Sequence, residues 1–391
     1  MRRKIAIITG SRADFGHLSD LIKAVSEDAE LDLQFIVTGP HLSQKHGFTV
    51  REIEATKIPI AARVDMNLTD DSGAATAKST GLATVGLAEV LEKLAPDLVV
   101  LLGDRFEILA AAVAALVTRI PIVHIHGGEV TTGAFDESIR HAISKMASLH
   151  LVAAEPYRRR LIQMGENPDR VFNMGAPGLD AIRRLSLLPR ADLERDLGFS
   201  IGKPLVLMTF HPVTRGLQGS RNELESILAA LDKFPQISLL ITGTNADPDN
   251  LLLRKRLVEW SDARKGETHV VESLGHARYV SLVALADAMI GNSSSGYIEG
   301  PAFNLPVVDV GDRQTGRLAA DCIQRVAAEP DKITAALARA LDPAFRAEHA
   351  GKKHPYDKGR FAENAIALFK SAQLGPELLR KPFHDLPASV A

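Results

Sequence analysis

The stretch Gly291-Asn292-Ser293-Ser294-Ser295-Gly296, with Glu299 just beyond it, holds the residue types that a phosphorylated ligand needs. Glycine and serine at the mouth of a helix offer backbone N–H groups, hydroxyl donors and the positive end of the peptide dipoles, which together favour phosphate or diphosphate. An acid in the first turn suits a pair of sugar hydroxyls better than a phosphate, so Glu299 suggests a nucleoside diphosphate. Gly311-Asp312-Arg313-Gln314-Thr315-Gly316-Arg317 follows and adds cations. Taken alone, the serine turn reads equally as an ordinary N-cap.

A second group of chemically capable residues lies in the first half. Arg12 sits in Gly10-Ser11-Arg12-Ala13-Asp14-Phe15-Gly16, whose spacing matches neither the dinucleotide fingerprint nor the P-loop. Asp104 and Arg105 follow the apolar run Leu98 to Leu102, and His124, His126 and Glu129 follow Ile120 to Ile125. Alternation along a strand puts His124 and His126 on one face. Zinc needs three or four ligands and no convincing further set accompanies them, so no metal is expected and an acid/base role suits His126 better. Asp136, Glu137, Arg140 and His141 open a helical stretch in which Asp136 and Arg140 share a face. In the second half, His211 follows the run Pro204 to Thr209. Asp247-Pro248-Asp249 has the form of a metal-binding acid pair, but its proline makes a turn the better reading.

These groups must be carried by parallel strands, which appear as short apolar runs each followed by a helical stretch. Ile5 to Thr9, Leu33 to Thr38, Leu98 to Leu102, Ile120 to Ile125 and Leu149 to Ala153 form one series. Pro204 to Thr209, Leu239 to Thr242, Thr268 to Val271, Asp287 to Ile290 and Val307 to Val310 form another. The alternation predicts two α/β domains, 1–184 and 185–370, followed by a C-terminal tail over 371–391, of which Pro382 to Ala391 reads as loose with Phe383 a candidate to dock. In such sheets ligands bind beyond the carboxyl ends of the strands, where the polar residues above fall.

Bulk composition narrows the partners. With 391 residues, Lys plus Arg at 46 nearly balances Asp plus Glu at 48, so no overall field favours nucleic acid or an anionic membrane, and a small molecule is the expected partner. A single cysteine, Cys322, permits no internal disulfide and fits a reducing cytoplasm. The basic start Met1-Arg2-Arg3-Lys4 resembles a signal peptide, but the apolar run Ile5 to Ile8 is too short for one, and no run reaches the length of a membrane span.

Together the motifs resemble the hydrolysing UDP-N-acetylglucosamine 2-epimerases of sialic and legionaminic acid synthesis. Besides those above, Thr38-Gly39-Pro40-His41-Leu42-Ser43, Leu102-Gly103-Asp104-Arg105-Phe106-Glu107, His124-Ile125-His126-Gly127-Gly128-Glu129-Val130, Gly175-Ala176-Pro177-Gly178-Leu179-Asp180 and His211-Pro212-Val213-Thr214 carry the likeness. The resemblance implies two Rossmann-like domains of the glycosyltransferase-B type, with a sugar nucleotide in the interdomain cleft and no cofactor. It puts Ser293, Ser294 and Ser295 on the diphosphate, Glu299 on the ribose, and Arg313 and Arg12 as cationic contacts. Asn245 and Leu274 match positions near the uracil, His41 and Arg105 join the substrate contacts, and His211 stands beside the departing oxygen. Asp104, His126, Asp136 and Glu137 are its acid/base candidates, with Arg140 and Arg105 positioning them. The family also suggests a homodimer or homotetramer. A retaining glycosyltransferase of the same fold and a non-catalytic sugar-nucleotide sensor are the competing readings.

Overall fold

The computed structural model describes residues 2–70, 72–131, 135–211, 217–243, 250–264, 266–271 and 274–387. The chain divides into two compact units, one of residues 1–129, 136–181 and 356–391, the other of 130–135 and 182–355.

The first unit is built on a seven-stranded parallel sheet with the order β3-β2-β1-β4-β5-β6-β7. Its strands are β1 Arg3–Thr9, β2 Leu31–Thr38, β3 Ile60–Val64, β4 Leu98–Leu102, β5 Ile122–Ile125, β6 Leu149–Val152 and β7 Val171–Asn173. The central strand β4, sequence LVVLL, is buried at every position, as a strand covered by helices on both faces must be. β3 differs: its inward and outward residues alternate, which marks a half-covered edge and explains why it lacks an apolar run.

The second unit carries six parallel strands in the order β10-β9-β8-β11-β12-β13. They are β8 Leu205–Thr209, β9 Ser238–Thr242, β10 Thr268–Val271, β11 Ala288–Gly291, β12 Val307–Val310 and β13 Ile323–Val326. Val206 and Met208 belong to one apolar cluster and Leu205 and Leu207 to another, the period-two signature of a strand with a core on each side.

In both sheets the order reverses direction once, between β1 and β4 in the first and between β8 and β11 in the second. Adjacent strands there send their following loops to opposite faces, which opens a crevice at the carboxyl end. The loops after β1, β4, β8 and β11 begin with Gly10, Gly103, Phe210 and Asn292, so the chemically capable residues cluster at the two switch points.

One boundary differs from expectation. The helix Phe361–Ser371 falls inside the predicted second domain, yet Phe361, Ala362, Ala365 and Phe369 belong to the apolar core around β1 and the helix Arg12–Glu27. Its capping end is fixed by the Asp180 carboxylate, which accepts from the Phe361 amide. The C-terminal tail is anchored ahead of Pro382: Arg170 donates to the carbonyls of Glu377, Leu378 and Arg380, at 2.8, 3.1 and 2.9 Å.

Candidate active site

In the first unit, the turn after β1 is held by one carboxylate. Asp14 accepts from the amides of Gly10 (2.9 Å), Ser11 (2.7 Å) and Phe15 (3.0 Å) and from the Ser11 hydroxyl (2.7 Å), and Ser11 caps the helix that Arg12 opens. His41, expected among the substrate contacts, is fully buried, and both its ring nitrogens are engaged, Nε2 with Thr9 Oγ1 at 3.2 Å and Nδ1 with Thr49 Oγ1 at 2.7 Å. Burial lowers its pKa, so the ring is a neutral strut beneath this turn and presents no nitrogen to a ligand.

The turn after β4 places Gly103 at φ 87°, then Asp104, then Arg105 as the N-cap of the helix Phe106–Val117. Arg105 Nε donates to Glu107 Oε1 at 2.8 Å. Glu107 is fully buried, and burial raises its carboxyl pKa against the pull of that guanidinium. Gly10 is required here: a Cβ would lie 2.3 Å from Glu107 Cγ.

β5 ends at Ile125, and His126 then takes a left-handed backbone, φ 65°, which a non-glycine residue adopts at some cost. The two histidines therefore part company. His124 stays under the sheet, where Nε2–H donates to the Gly103 carbonyl at 2.7 Å and Nδ1 meets the Ser144 hydroxyl at 3.0 Å. Burial drives its pKa down to about 3, so the ring is neutral and Nδ1 accepts. His126 instead pairs through Nδ1 with the buried carboxylate of Glu129. That bond directs the ring and leaves Nε2 as the nitrogen not engaged by Glu129.

Arg140, 3% exposed, closes the constellation from the helix Asp136–Met146. It donates to the Asp104 carboxylate and, at 2.9 Å, to the His126 carbonyl, and its Nη1 lies 3.9 Å from Glu129 Oε2. One guanidinium thus ties the loops after β4 and β5 to the helix. Asp136 and Glu137 stand at the positive end of that helix, and Glu137 meets His141 at 3.3 Å. Among the described residues no group of three or more His, Cys, Asp or Glu side chains could hold a metal ion.

The second unit gathers its polar groups around Asn292, which is fully buried. Asn292 Oδ1 accepts from the His211 amide at 2.7 Å, and its Nδ2 donates to the His211 carbonyl at 2.9 Å, locking the ends of β8 and β11 together. Its own carbonyl accepts from Arg313 at 3.0 Å and Gln314 at 2.8 Å, which fixes the loop after β12 against the serine turn. Gly291 has no substitute, since at φ 135° a Cβ would lie 2.0 Å from the Thr209 carbonyl oxygen. The helix Ser295–Ala302 starts with Ser294 as N-cap, Ser293 Oγ accepts from the Ser295 amide at 3.3 Å, and the Ser295 hydroxyl bonds Tyr279.

Glu299 lies in the second turn of this helix, one turn deeper than the sequence suggested, and is 6% exposed. Leu274, matched to a nucleobase contact, is 4% exposed and packs in the apolar cluster with Leu240 and Leu282. Asn245 and Asp247-Pro248-Asp249 lie outside the described residues, as do Pro212, Val213 and Thr214.

Thus the structure brings Asp104, His126 and Arg140 together in one unit, and His211, the serine turn and Arg313 in the other. Glu129, Asn292 and Gln314 join them without having been singled out as site residues. The Gly127-Gly128 turn was the available signal for Glu129, because it returns the chain toward His126.

Known proteins with this organisation carry the same message. A model of the family described as UDP-N-acetylglucosamine 2-epimerase matches residues 23–370. A Campylobacter jejuni protein, GDP/UDP-N,N'-diacetylbacillosamine 2-epimerase (hydrolyzing), is 41% identical over 317 residues, 81% of this chain and 82% of its own. The UDP-N,N'-diacetylbacillosamine 2-epimerase (hydrolyzing) of Legionella pneumophila is 36% identical over 382 residues, 97% of this chain and 99% of its own. Among solved structures, UDP-GlcNAc 2-epimerase from Neisseria meningitidis bound to UDP-GlcNAc superposes with a TM-score of 0.82 at 20% identity, covering 94% of this chain and 100% of that one. That likeness shows a shared fold of two Rossmann-like sheets.

Proposed function

The chain belongs to the UDP-N-acetylglucosamine 2-epimerase family, and we propose that it is a hydrolysing member that converts a UDP-N-acetylglucosamine-type sugar nucleotide and water into the free 2-epimer and UDP. The proton on C2 of such a sugar is weakly acidic, so inversion there is made feasible by losing the nucleotide from C1 in the same step. A base takes the C2 proton, the C1–O bond breaks, UDP leaves with the electron pair, and a glycal remains. Water then adds its oxygen to C1 while a proton returns to the opposite face of C2.

Two demands follow: groups that move protons beside the sugar, and a cationic, hydrogen-bonding cradle for the developing charge on the diphosphate. The first unit answers the first demand. In our reading, Asp104, His126 and Asp136 are the proton-transfer groups, with Glu129 orienting His126 and Arg140 holding Asp104. Glu137, which meets His141, joins Asp136 as a candidate from the start of the same helix. The second unit answers the second demand, with the amides and hydroxyls of Ser293 and Ser294, Arg313 and His211 on the diphosphate and Glu299 on the ribose.

The part-exposed Asp104, held by the buried Arg140 beside the buried pair Glu129 and His126, carries this reading, because a protein that only sensed a sugar nucleotide would need no such proton-transfer group. The names of the Campylobacter and Legionella relatives favour a diacetamido sugar within the same substrate class. A panel of UDP- and GDP-linked amino sugars assayed for nucleotide release without any acceptor tests the proposal. Release from a UDP-linked 2-acetamido sugar is expected, and a requirement for an acceptor would return the glycosyltransferase reading. We further propose a homodimer or homotetramer, on the strength of the apolar side chains that the first unit exposes at Leu82, Val85, Leu116 and Val117. A cytoplasmic location fits the single cysteine.

A further inference from the structure

The stretch after residue 371 makes contacts that a loose tail would not. Lys381 Nζ donates to the carbonyls of Ser144 and Lys145, both at 2.8 Å, and lies 2.7 Å from Glu166 Oε2. Those carbonyls lie in the last turn of the helix Asp136–Met146, where that of Ser144 also accepts from the Ala147 amide at 3.3 Å and a cation opposes the negative end of the dipole. Glu166, 2% exposed, also accepts from His150 Nε2 at 2.9 Å and Lys145 Nζ at 2.7 Å. A buried carboxylate needs such partners. The segment is anchored on both sides of Lys381, by Arg170 on the carbonyls of residues 377, 378 and 380, and by the His384 amide on the Gly165 carbonyl at 2.9 Å.

From Lys381 a chain of contacts runs to the acid/base constellation. Ser144, whose carbonyl Lys381 holds, also meets His124 through its hydroxyl, and His124 donates to the carbonyl of Gly103, the residue before Asp104. Arg140, four residues earlier and so on the same helical face, grips Asp104 itself. The helix and the Asp104 turn are therefore tied at two points, and the C-terminal segment secures one of them.

We propose that residues 376–384 form a strap and that Lys381 is a positioning residue, holding the helix Asp136–Met146 so that Arg140 and Asp104 keep their alignment. The inference rests on the proposed function for its kinetic arm only. Lys381→Met removes the grip but leaves the buried Glu166 with only Lys145 and His150 as partners, so the charge-balanced, neutral pair Glu166→Gln/Lys381→Met is the decisive variant, with Lys381→Arg as the conservative rescue. In both variants that lose the ammonium, kcat falls about tenfold, with KM for the sugar nucleotide and Kd for UDP within roughly twofold. Lys381→Arg restores most of the loss. Amide exchange over residues 136–146 quickens in the neutral pair whether or not the enzyme turns over. If the neutral pair regains wild-type kcat, or its exchange over 136–146 matches wild type, Lys381 only balanced a buried charge and the strap is refuted. Should wild type itself release no UDP, the functional reading fails, and the exchange measurement still decides the strap.

Discussion

Replacing Arg140 by lysine tests the constellation while keeping its charge. The guanidinium serves two acceptors at once, the Asp104 carboxylate and the His126 carbonyl, and it approaches Glu129. A lysine ammonium is a point donor on a flexible stem and cannot reproduce the planar fork, so at least one of these bonds is lost. A hydrogen bond to a charged group contributes about 1.5–3 kcal/mol, and at about 1.4 kcal/mol per factor of ten in rate the cost is roughly tenfold to a hundredfold in kcat. The unbalanced-charge penalty that Arg140→Met would add does not arise. Steady-state UDP release should therefore show a lower kcat. Isothermal titration of UDP should be unchanged, because the nucleotide contacts proposed above belong to the other unit. Turnover within about twofold of wild type would mean that the alignment of Asp104 by Arg140 is irrelevant to the reaction.

Other outcomes follow from the same geometry. Glu299→Ala should weaken UDP by roughly tenfold to a hundredfold, the cost of charge-assisted bonds to ribose hydroxyls, and an unchanged titration would remove Glu299 from the nucleotide contacts. Gly291→Ala should lower stability by about 3 kcal/mol or more, since the new Cβ would collide with the Thr209 carbonyl at a backbone angle alanine resists; an unaltered melting temperature would contradict this. Acid should destabilise the first unit. His124 has a folded pKa of about 3 against an ordinary 6.5, so below 6.5 the unfolded chain binds a proton that the native state refuses, and stability falls until pH reaches about 3. Glu166, held down to about 2 from 4.5, extends the loss at lower pH as its carboxylate is protonated. Between about pH 7 and about pH 5, His124 alone accounts for about 2 kcal/mol, measurable as the difference between the urea-midpoint shifts of wild type and His124→Gln over that range, and equal shifts in the two would show that this histidine is not kept neutral by burial.

Much of the architecture was legible because a buried parallel strand advertises itself as an apolar run. Leu98–Leu102 and Val307–Val310, buried throughout, match the sequence reading residue for residue, as does the half-buried edge strand Thr268–Val271. The other edge strands, β3, β7 and β13, escaped because an edge needs only one apolar face; Arg63, Gln324 and Arg325 interrupt β3 and β13, and β7 is three residues long. The helix Phe361–Ser371 shows why domain boundaries are harder. Periodicity reveals an apolar face but not which core receives it, and Phe361 and Phe369 pack with the distant β1. At the site, Asp104, Arg140, His211 and Arg313 were found from their positions after strands or at helix starts. Glu129 was named beside His126 but given no role, since its closeness to that ring depends on the backbone turn at Gly127-Gly128, which no periodicity encodes. His41 and Leu274 went the other way: motif position suggested ligand contacts, and packing buries both.

The central claim is that elimination across C1 and C2 accompanies release of the nucleotide. Incubating the protein with the UDP-linked 2-acetamido sugar that it consumes, in deuterated water and without an acceptor, tests this directly. The account predicts one equivalent of UDP and a free 2-epimeric sugar carrying deuterium at C2. UDP release with hydrogen retained at C2, or with unchanged configuration there, would contradict it.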